Sequence, residues 1–309
     1  MTRQPALVAA DWGTSNVRVW LLDRAGAALA ERKSGDGMST AGAKGFANIL
    51  EGHLAAMGAP ADLPTIVCGM AGARQGWVEA GYLDVPAQIA DFASASTPAP
   101  DAARPVRILP GLAQRRADAP DVMRGEETQL AGAGLDAGDH LVCMPGTHSK
   151  WVRVEAGKVT GFRTAMTGEL FHVMSAQSIL RHSVGEPPDA GDPSAPAFRD
   201  ALLRAIARPQ DLTSMLFRIR AGGLLHDLSK TDAAATLSGM LIGTEIAATK
   251  AETPDARAVT LVASGANGER YDAALRLAGY DVTSVDADVA VRAGLFAAGA
   301  RLYLEGQTA

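Results

Sequence analysis

The chain has 309 residues, 47% of them hydrophobic and 20% charged, with a formal net charge of −5. That length supports a substantial core and most naturally two domains, and the composition excludes a disordered chain. The acidic balance argues against a nucleic-acid surface as the main activity and favours small-molecule partners. Cys68 and Cys143 each close an apolar run, so neither a disulfide framework nor a cysteine zinc site is expected. The apolar stretch before Asp11 is too brief for a signal peptide, and no run approaches the ~18 apolar residues of a membrane span. A cytoplasmic location with no membrane partner is therefore expected.

In chain order, residues 7–30 read as a strand, a polar loop and a return strand, followed by a third short strand at 28–32. A tight hairpin needs only two turn residues such as Asn-Gly. Here Asp11-Trp12-Gly13-Thr14-Ser15-Asn16 offers a carboxylate, a glycine and three small hydrogen-bonding side chains, a set suited to an anion and a metal ion together. A decorated turn that serves only its own backbone is the plainer alternative. "GFANILEGHLAAMG" places Phe46, Ile49, Leu50, His53, Leu54 and Met57 at helical spacing, with His53 on the helix face. "LPTIVCGMAGARQGW" predicts a buried strand running into a glycine-rich loop, "RPVRILPGLAQ" a strand and turn, and "DVMRGEETQLAGAG" a helix start with early acidic residues.

"DHLVCMPGTHSKWVRVEAGKVTGFRTAMTGELF" then repeats the opening theme of strand, polar loop, strand, turn and strand. An exposed loop is expected at 184–196, helices across 197–252, and strand, glycine loop, helix and strand in "RAVTLVASGANGERYDAALRLAGYDVTSVD", with the helix N-terminus at Glu269. An alanine-rich helix closes the chain. The two polar loops share Gly-Thr followed by Ser and a basic residue, Arg18 or Lys150, as expected for one loop per domain gripping a polyphosphate from both sides of a cleft.

Two phosphate loops and an "ASGANG" turn in this order resemble the actin-like, hexokinase and Hsp70 ATPase superfamily. "DWGTSNVRVWLL", "CGMAGARQGW", "PDVMRGEETQ", "PGTHSKWV" and "MTGELF" narrow the resemblance to the 2-dehydro-3-deoxygalactonokinase family. The resemblance implies an α/β protein of two ribonuclease-H-like (actin-like ATPase) domains with an interdomain nucleotide cleft. Residues 1–135 and the C-terminal helix 290–309 would form the first domain, and 136–289 the second. It also implies ATP-dependent phosphorylation of the C6 hydroxyl of 2-dehydro-3-deoxy-D-galactonate in D-galactonate breakdown, with ATP and Mg²⁺ as cofactors. The partners would be the sugar acid and ATP, with the oligomeric state, a homodimer included, left open.

Phosphoryl transfer demands positioning and charge neutralisation more than covalent chemistry by the protein. Asp11 is assigned to Mg²⁺ through water, Gly13, Thr14, Ser15, Asn16 and Arg18 to phosphates, and Gly146, Thr147 and Ser149 to phosphates from the second domain, with Lys150 adding positive charge. The base and ribose would lie by Ser264, Gly265, Ala266, Asn267 and Gly268. A planar guanidinium suits the substrate carboxylate, which makes Arg74 and Arg124 the candidates, with Gln75, Trp77, Glu126 and Thr167 around the polyol. Many sugar kinases of the superfamily carry an Asp at the start of the second phosphate loop, where this chain has Met144-Pro145. The proton acceptor is then sought among Glu126 and His148 first, with Glu127 and Glu169 behind them.

A P-loop is absent, and "GAGLDA" at 132–137 lies between a helix and a strand, the reverse of a dinucleotide fingerprint. The unit at 259–286 ends on Asp286 and would suit an NAD-dependent oxidoreductase, but that reading leaves both polar hairpins unexplained. An actin-like or Hsp70-like ATPase fits the cleft but not the sugar-acid motifs.

Overall fold

Strand β1 (Pro5–Trp12) is buried from Leu7 to Ala10 and again at Trp12, because a central strand covered on both faces needs an unbroken apolar run. The computed structural model describes residues 3–185 and 191–305. After β1 come β2 (Val17–Asp23), β3 (Ala28–Ser34), α1 (Met38–Lys44), α2 (Phe46–Ala56), β4 (Thr65–Gly69), β5 (Tyr82–Asp84), β6 (Ala87–Gln88), β7 (Thr97–Pro98), β8 (Val106–Ile108), β9 (Gly111–Gln114), β10 (Asp121–Met123) and α3 (Glu126–Gly132). The chain continues with β11 (Asp139–Met144), β12 (Ser149–Glu155), β13 (Lys158–Ala165), α4 (Thr167–Gln177), α5 (Arg181–Val184), α6 (Pro196–Ala207), α7 (Leu212–Leu225) and α8 (Lys230–Glu252). It ends with β14 (Ala258–Ala263), α9 (Gly265–Leu277), β15 (Asp281–Asp286) and α10 (Ala287–Tyr303).

Two compact units form. Unit 1 holds the chain up to Asp139, Val154–Phe162 and everything from Ala287, and unit 2 holds His140–Arg153 and Arg163–Asp286. This differs from the sequence-based division in extending the first segment from 135 to Asp139, in assigning Val154–Phe162 to unit 1 and in starting the C-terminal segment at Ala287. The physical reason for the second difference lies in β13, whose Lys158 and Val159 pair with Gln88 and Ala87 of β6.

The first sheet has the order β3-β2-β1-β4-β8-β7, and the third β15-β14-β11-β12-β13-β6. The first five strands of the first sheet read third, second, first, fourth, fifth in their own chain order, and those of the third sheet read the same from β13 to β15, the ribonuclease-H-like arrangement expected from sequence. Period-2 geometry sorts the first sheet's core. Val8, Ala10 and Trp12 pack with Phe46, Ile49, Leu50 and Leu54 of α2, while Leu7 and Ala9 pack with Val291, Leu295 and Ala298 of α10.

The helix expected from Asp121 starts later. Residues 121–123 pair antiparallel with β9, from Asp121 opposite Gln114 to Met123 opposite Leu112. Gly125 then turns the chain at φ +106 before α3 begins at Glu126. The "ASGANG" segment is likewise not a loop, since α9 begins at Gly265 and Glu269 lies inside it. The exposed loop expected at 184–196 falls in part at 186–190, outside the described residues, and α6 already begins at Pro196. Residues 306–309 of the expected C-terminal helix also lie outside them.

Helix α3 meets α10 through facing glycines. A Cβ on Gly132 would stand 1.9 Å from the Ala290 carbonyl oxygen, and one on Gly294 1.9 Å from that of Thr128. Gly294→Ala should therefore force the two backbones apart and cost about 1–3 kcal/mol, read as a lower midpoint in urea unfolding. Gly52→Ala, on the exposed face of α2 with open space around it, should be neutral or stabilising by up to about 1 kcal/mol.

Candidate active site

In unit 1, β1 and β4 run parallel with Asp11 opposite Cys68 and Trp12 opposite Gly69. The Cys68 thiol donates to Asp11 Oδ1 at 3.5 Å. Gly69 has φ +83, and a Cβ there would meet the Trp12 carbonyl oxygen at 2.6 Å and Asp11 Oδ1 at 3.4 Å, so only glycine leaves the carboxylate its place. The loop that follows is closed by Gly13 N–H donating to Asn16 O at 2.8 Å. It is braced from outside by Met38 N–H on Gly13 O and Ser39 N–H on Thr14 O, both 3.0 Å. Thr14, Ser15 and Asn16 remain exposed at the tip. Burial pushes the Asp11 carboxyl above its ordinary range, opposed by the Cys68 hydrogen bond and the positive charge of Arg18. Arg18 itself is committed to acids of the same unit, with Nη1 2.5 Å from Asp288 Oδ1 and Nε 3.8 Å from Glu31.

Arg124 follows β10, in the small sheet of order β10-β9-β5. Its guanidinium lies 4.4 Å over the Tyr82 ring, and Nη2 donates to Gly81 O at 2.7 Å. Nε and Nη1 are buried with no acceptor among the described residues. Gly72 makes the room, since a Cβ there would stand 2.7 Å from Nη1. Two residues on, Glu126 Oε2 accepts the Arg124 N–H at 3.1 Å, while Glu127 accepts the Gly125 N–H at 2.6 Å and the Thr128 hydroxyl at 3.0 Å. Glu127 is fully buried, and that burial, with the neighbouring charge of Glu126, raises its pKa to about 8.

The other substrate candidates of unit 1 sit differently. The Arg74 side chain is 81% exposed with Glu79 3.7 Å away, and Gln75 is exposed. Trp77 packs into the core, stacked on Phe46 at 6.0 Å and edge-on to Trp12 at 6.3 Å, with Nε1 donating to Pro100 O.

In unit 2, the loop between β11 and β12 exposes Gly146, Thr147 and His148 and buries Ser149 and Lys150. His148 Nε2 lies 2.5 Å from Glu169 Oε2, and Lys150 Nζ donates to His148 O at 3.3 Å. Ser149 Oγ sits 3.0 Å from the Tyr271 hydroxyl, and the Thr167 hydroxyl donates to Glu245, so both side chains are already engaged inside the unit. Ser264 precedes α9 and donates to Asp286 Oδ2 at 2.9 Å, while Gly265 takes φ +62. Gly268 approaches Ala263 closely, where a Cβ would stand 3.3 Å from the Ala263 Cβ, and Ala266 lies with it in the first turn. Gly146, Thr167, Gly168, Asn267, Arg270 and Tyr271 line a small cavity of about 80 Å³. Among the described residues, no group of three or more His, Cys, Asp or Glu side chains is placed to hold a metal ion.

The 2-keto-3-deoxy-galactonokinase family matches this chain over residues 11–298, which takes in both polar loops, Arg124 and the cavity. The chain belongs to that family. A probable 2-dehydro-3-deoxygalactonokinase of Rhizobium meliloti (strain 1021) is 54% identical over 305 residues, covering 98% of this chain and 99% of the relative. The 2-dehydro-3-deoxygalactonokinase of Escherichia coli (strain K12) is 37% identical over 288 residues, covering 93% and 95%. The crystal structure of a candidate 2-dehydro-3-deoxygalactonokinase from Sinorhizobium meliloti superposes with a TM-score of 0.93 at 54% identity, covering 96% of this chain and 99% of that one. The expected kinase membership is thus borne out, and the oxidoreductase and partner-driven ATPase readings are not favoured.

For this sugar-acid kinase, sequence reasoning missed Cys68, Gly72, Tyr82, Glu245, Arg270 and Tyr271. Cys68 and Gly72 carried a signal, both lying in the "CGMAGARQGW" motif, with Cys68 paired beside Asp11.

A carboxyl whose pKa rises on folding holds its proton more tightly than the unfolded chain does. The stability it contributes is full below the ordinary glutamate value of 4.5 and is lost as pH rises to about 8. Wild type should therefore lose stability relative to Glu127→Gln between those limits, by at most about 1.4 kcal/mol per pH unit, measured by urea unfolding at pH 5, 6.5 and 8.

Proposed function

We propose that this kinase transfers the terminal phosphoryl group of ATP to the C6 hydroxyl of 2-dehydro-3-deoxy-D-galactonate. The observation that carries the substrate assignment is Arg124, a guanidinium held over Tyr82 with two buried nitrogens lacking an acceptor among the described residues. Leaving such donors unpaired is costly, and a charged carboxylate oxygen is the acceptor that offsets that cost most strongly. A sugar acid supplies that group and a neutral sugar does not. Arg74, exposed and facing Glu79, has the weaker claim.

Glu126 is assigned the proton of the C6 hydroxyl. Its Oε2 accepts the Arg124 N–H, and its charge is felt at Asp11, which supports grouping the three residues in one role. A loose phosphoryl transition state asks for only a modest base. His148, already paired with Glu169, is assigned as a hydrogen-bond donor to phosphate together with the exposed Gly146 and Thr147. Gly13, Thr14, Ser15 and Asn16 serve phosphate from unit 1.

The site suits Mg²⁺ held mainly by nucleotide oxygens and water, with one protein carboxylate nearby. Asp11 is that carboxylate. Burial raises its pKa by more than the Cys68 hydrogen bond and Arg18 lower it, and a bound Mg²⁺ would favour the ionised form while neutralising phosphate charge. No helix among the described residues is long and apolar enough to cross a membrane, and a cytoplasmic site of action, where ATP is supplied, fits the reading.

Steady-state kinetics test the assignment, with the galactonate- and gluconate-derived sugar acids as parallel substrates. Arg124→Lys should raise KM for the sugar acid roughly 30-fold, the loss of about 2 kcal/mol of charge-assisted bonding, and leave KM for ATP unchanged. Gly72→Ala should do the same more weakly by pushing on Nη1. Glu126→Gln should lower kcat about 100-fold, and a loss under tenfold removes it as the base. ATP turnover that does not respond to either sugar acid would overturn the proposal.

A further inference from the structure

Unit 2 contains one buried carboxylate that no phosphate or substrate role explains. Glu245, midway along α8, is buried and accepts three side-chain hydrogen bonds. Trp151 Nε1 donates to Oε1 at 2.7 Å, the Tyr271 hydroxyl donates to Oε2 at 2.8 Å, and the Thr167 hydroxyl donates to the same oxygen. Tyr271 spends its hydroxyl proton on Glu245, so Ser149, 3.0 Å away, donates to the Tyr271 oxygen. A directional chain Ser149 to Tyr271 to Glu245 results.

The donors are not scattered. Ser149 and Trp151 are the first and third residues of β12, directly after the Gly146-Thr147-His148 loop, and Thr167 opens α4. The start of α4 is pressed on that loop. Glu169 N–H donates to Thr147 O at 2.9 Å, and a Cβ on Gly168 would stand 2.4 Å from Gly146 O and 2.9 Å from Thr147 Cα. Tyr271 comes from α9, whose first turn carries Asn267. The strand leaving the loop, the helix beneath it and the helix beside the cavity are thus all tied to one carboxylate. Burying a charge is costly unless hydrogen bonds compensate, and these donors oppose the rise that burial imposes on the Glu245 carboxyl.

We infer that Glu245 is a positioning residue for nucleotide binding: its carboxylate fixes the Gly146–His148 loop and the first turn of α9 in one register. It touches neither nucleotide nor sugar acid. This rests on the kinase reading above and assigns it a determinant of ATP affinity. Glutamine cannot replace it, because an amide offers one oxygen for three donors and turns its own NH₂ toward one of them. Once one member is misdirected, the loop loses its support through Thr167 or through Ser149.

Calorimetric titration of the full chain with Mg·ATP in the absence of sugar acid provides the test, alongside kinetics on both substrates. Glu245→Gln, Tyr271→Phe and Thr167→Val should each weaken ATP binding at least tenfold and raise KM for ATP in step. KM for the sugar acid should stay within twofold, and Thr167→Ser, which restores the hydroxyl, should return affinity to within threefold of wild type. A purely structural role would reduce the active fraction, lowering kcat and the binding stoichiometry with both KM values unchanged. That outcome, or ATP affinity within twofold of wild type in Tyr271→Phe and Thr167→Val, overturns the inference. If Glu245→Gln fails to fold, those two variants decide it. A wild-type chain that binds no Mg·ATP would instead defeat the kinase reading.

Discussion

The close parallel pairing of β1 and β4 is the constraint on which the candidate site depends. Asp11 can stand at a strand end, half-buried beside Cys68, only because its neighbour on β4 gives way to Gly69. A side chain at Gly69 would push directly on the Trp12 carbonyl and crowd the carboxylate. The glycine-rich run that looks like a flexible loop in sequence is therefore a region of tight backbone approach. Gly72 plays the same part for Arg124, and Gly132 with Gly294 for the helix that carries Glu126 and Glu127. Omitted side chains, more than added ones, set where the charged groups of unit 1 lie.

Two fully buried glutamates show how differently such a charge can be accommodated. Glu127 has a backbone N–H, one hydroxyl and a neighbouring like charge, and it settles its cost by holding a proton up to about pH 8. Glu245 has three side-chain donors that oppose the rise, although burial still lifts its carboxyl above the ordinary range. The first ties down the turn at Gly125, next to Arg124. The second ties together elements from three distant stretches of chain.

Legibility in the sequence followed the range of the interactions. The strand, polar loop, strand pattern at residues 7–23 was readable because apolar runs and the Asp-Trp-Gly-Thr-Ser-Asn connection are local, and its echo at 140–154 made the two-domain arrangement readable too. The register of Asp121–Met123 against β9 was not, since pairing across a sheet leaves no local mark and the early acids of "MRGEE" suggested a helix that in fact waits for Gly125. Trp77 read as a polyol contact from its place in the "AGARQGW" motif, while its ring contacts with Phe46 and Trp12, from elsewhere in the chain, left no local mark. Glu245 was invisible for the same reason: inside the alanine-rich α8 it looks like an ordinary helical acid, and its donors lie up to 94 residues away.

The same strand order in both sheets puts a polar loop after the first strand in each, and the backbone braces both loops, with a larger side-chain share in unit 2. In unit 1 the brace is backbone on backbone, from Met38 and Ser39 to Gly13 and Thr14, with Gly37 so near that a Cβ would stand 2.3 Å from the Ser15 carbonyl carbon. Such a brace is insensitive to side-chain identity except at the glycine. In unit 2 the backbone brace of Glu169 N–H on Thr147 O is joined by side chains, Thr167 and Tyr271 onto Glu245, and His148 onto Glu169. A side-chain brace is tunable one residue at a time, whereas a backbone brace is nearly all or none. Variation in nucleotide affinity among relatives should accordingly concentrate on the unit 2 loop and its buried network.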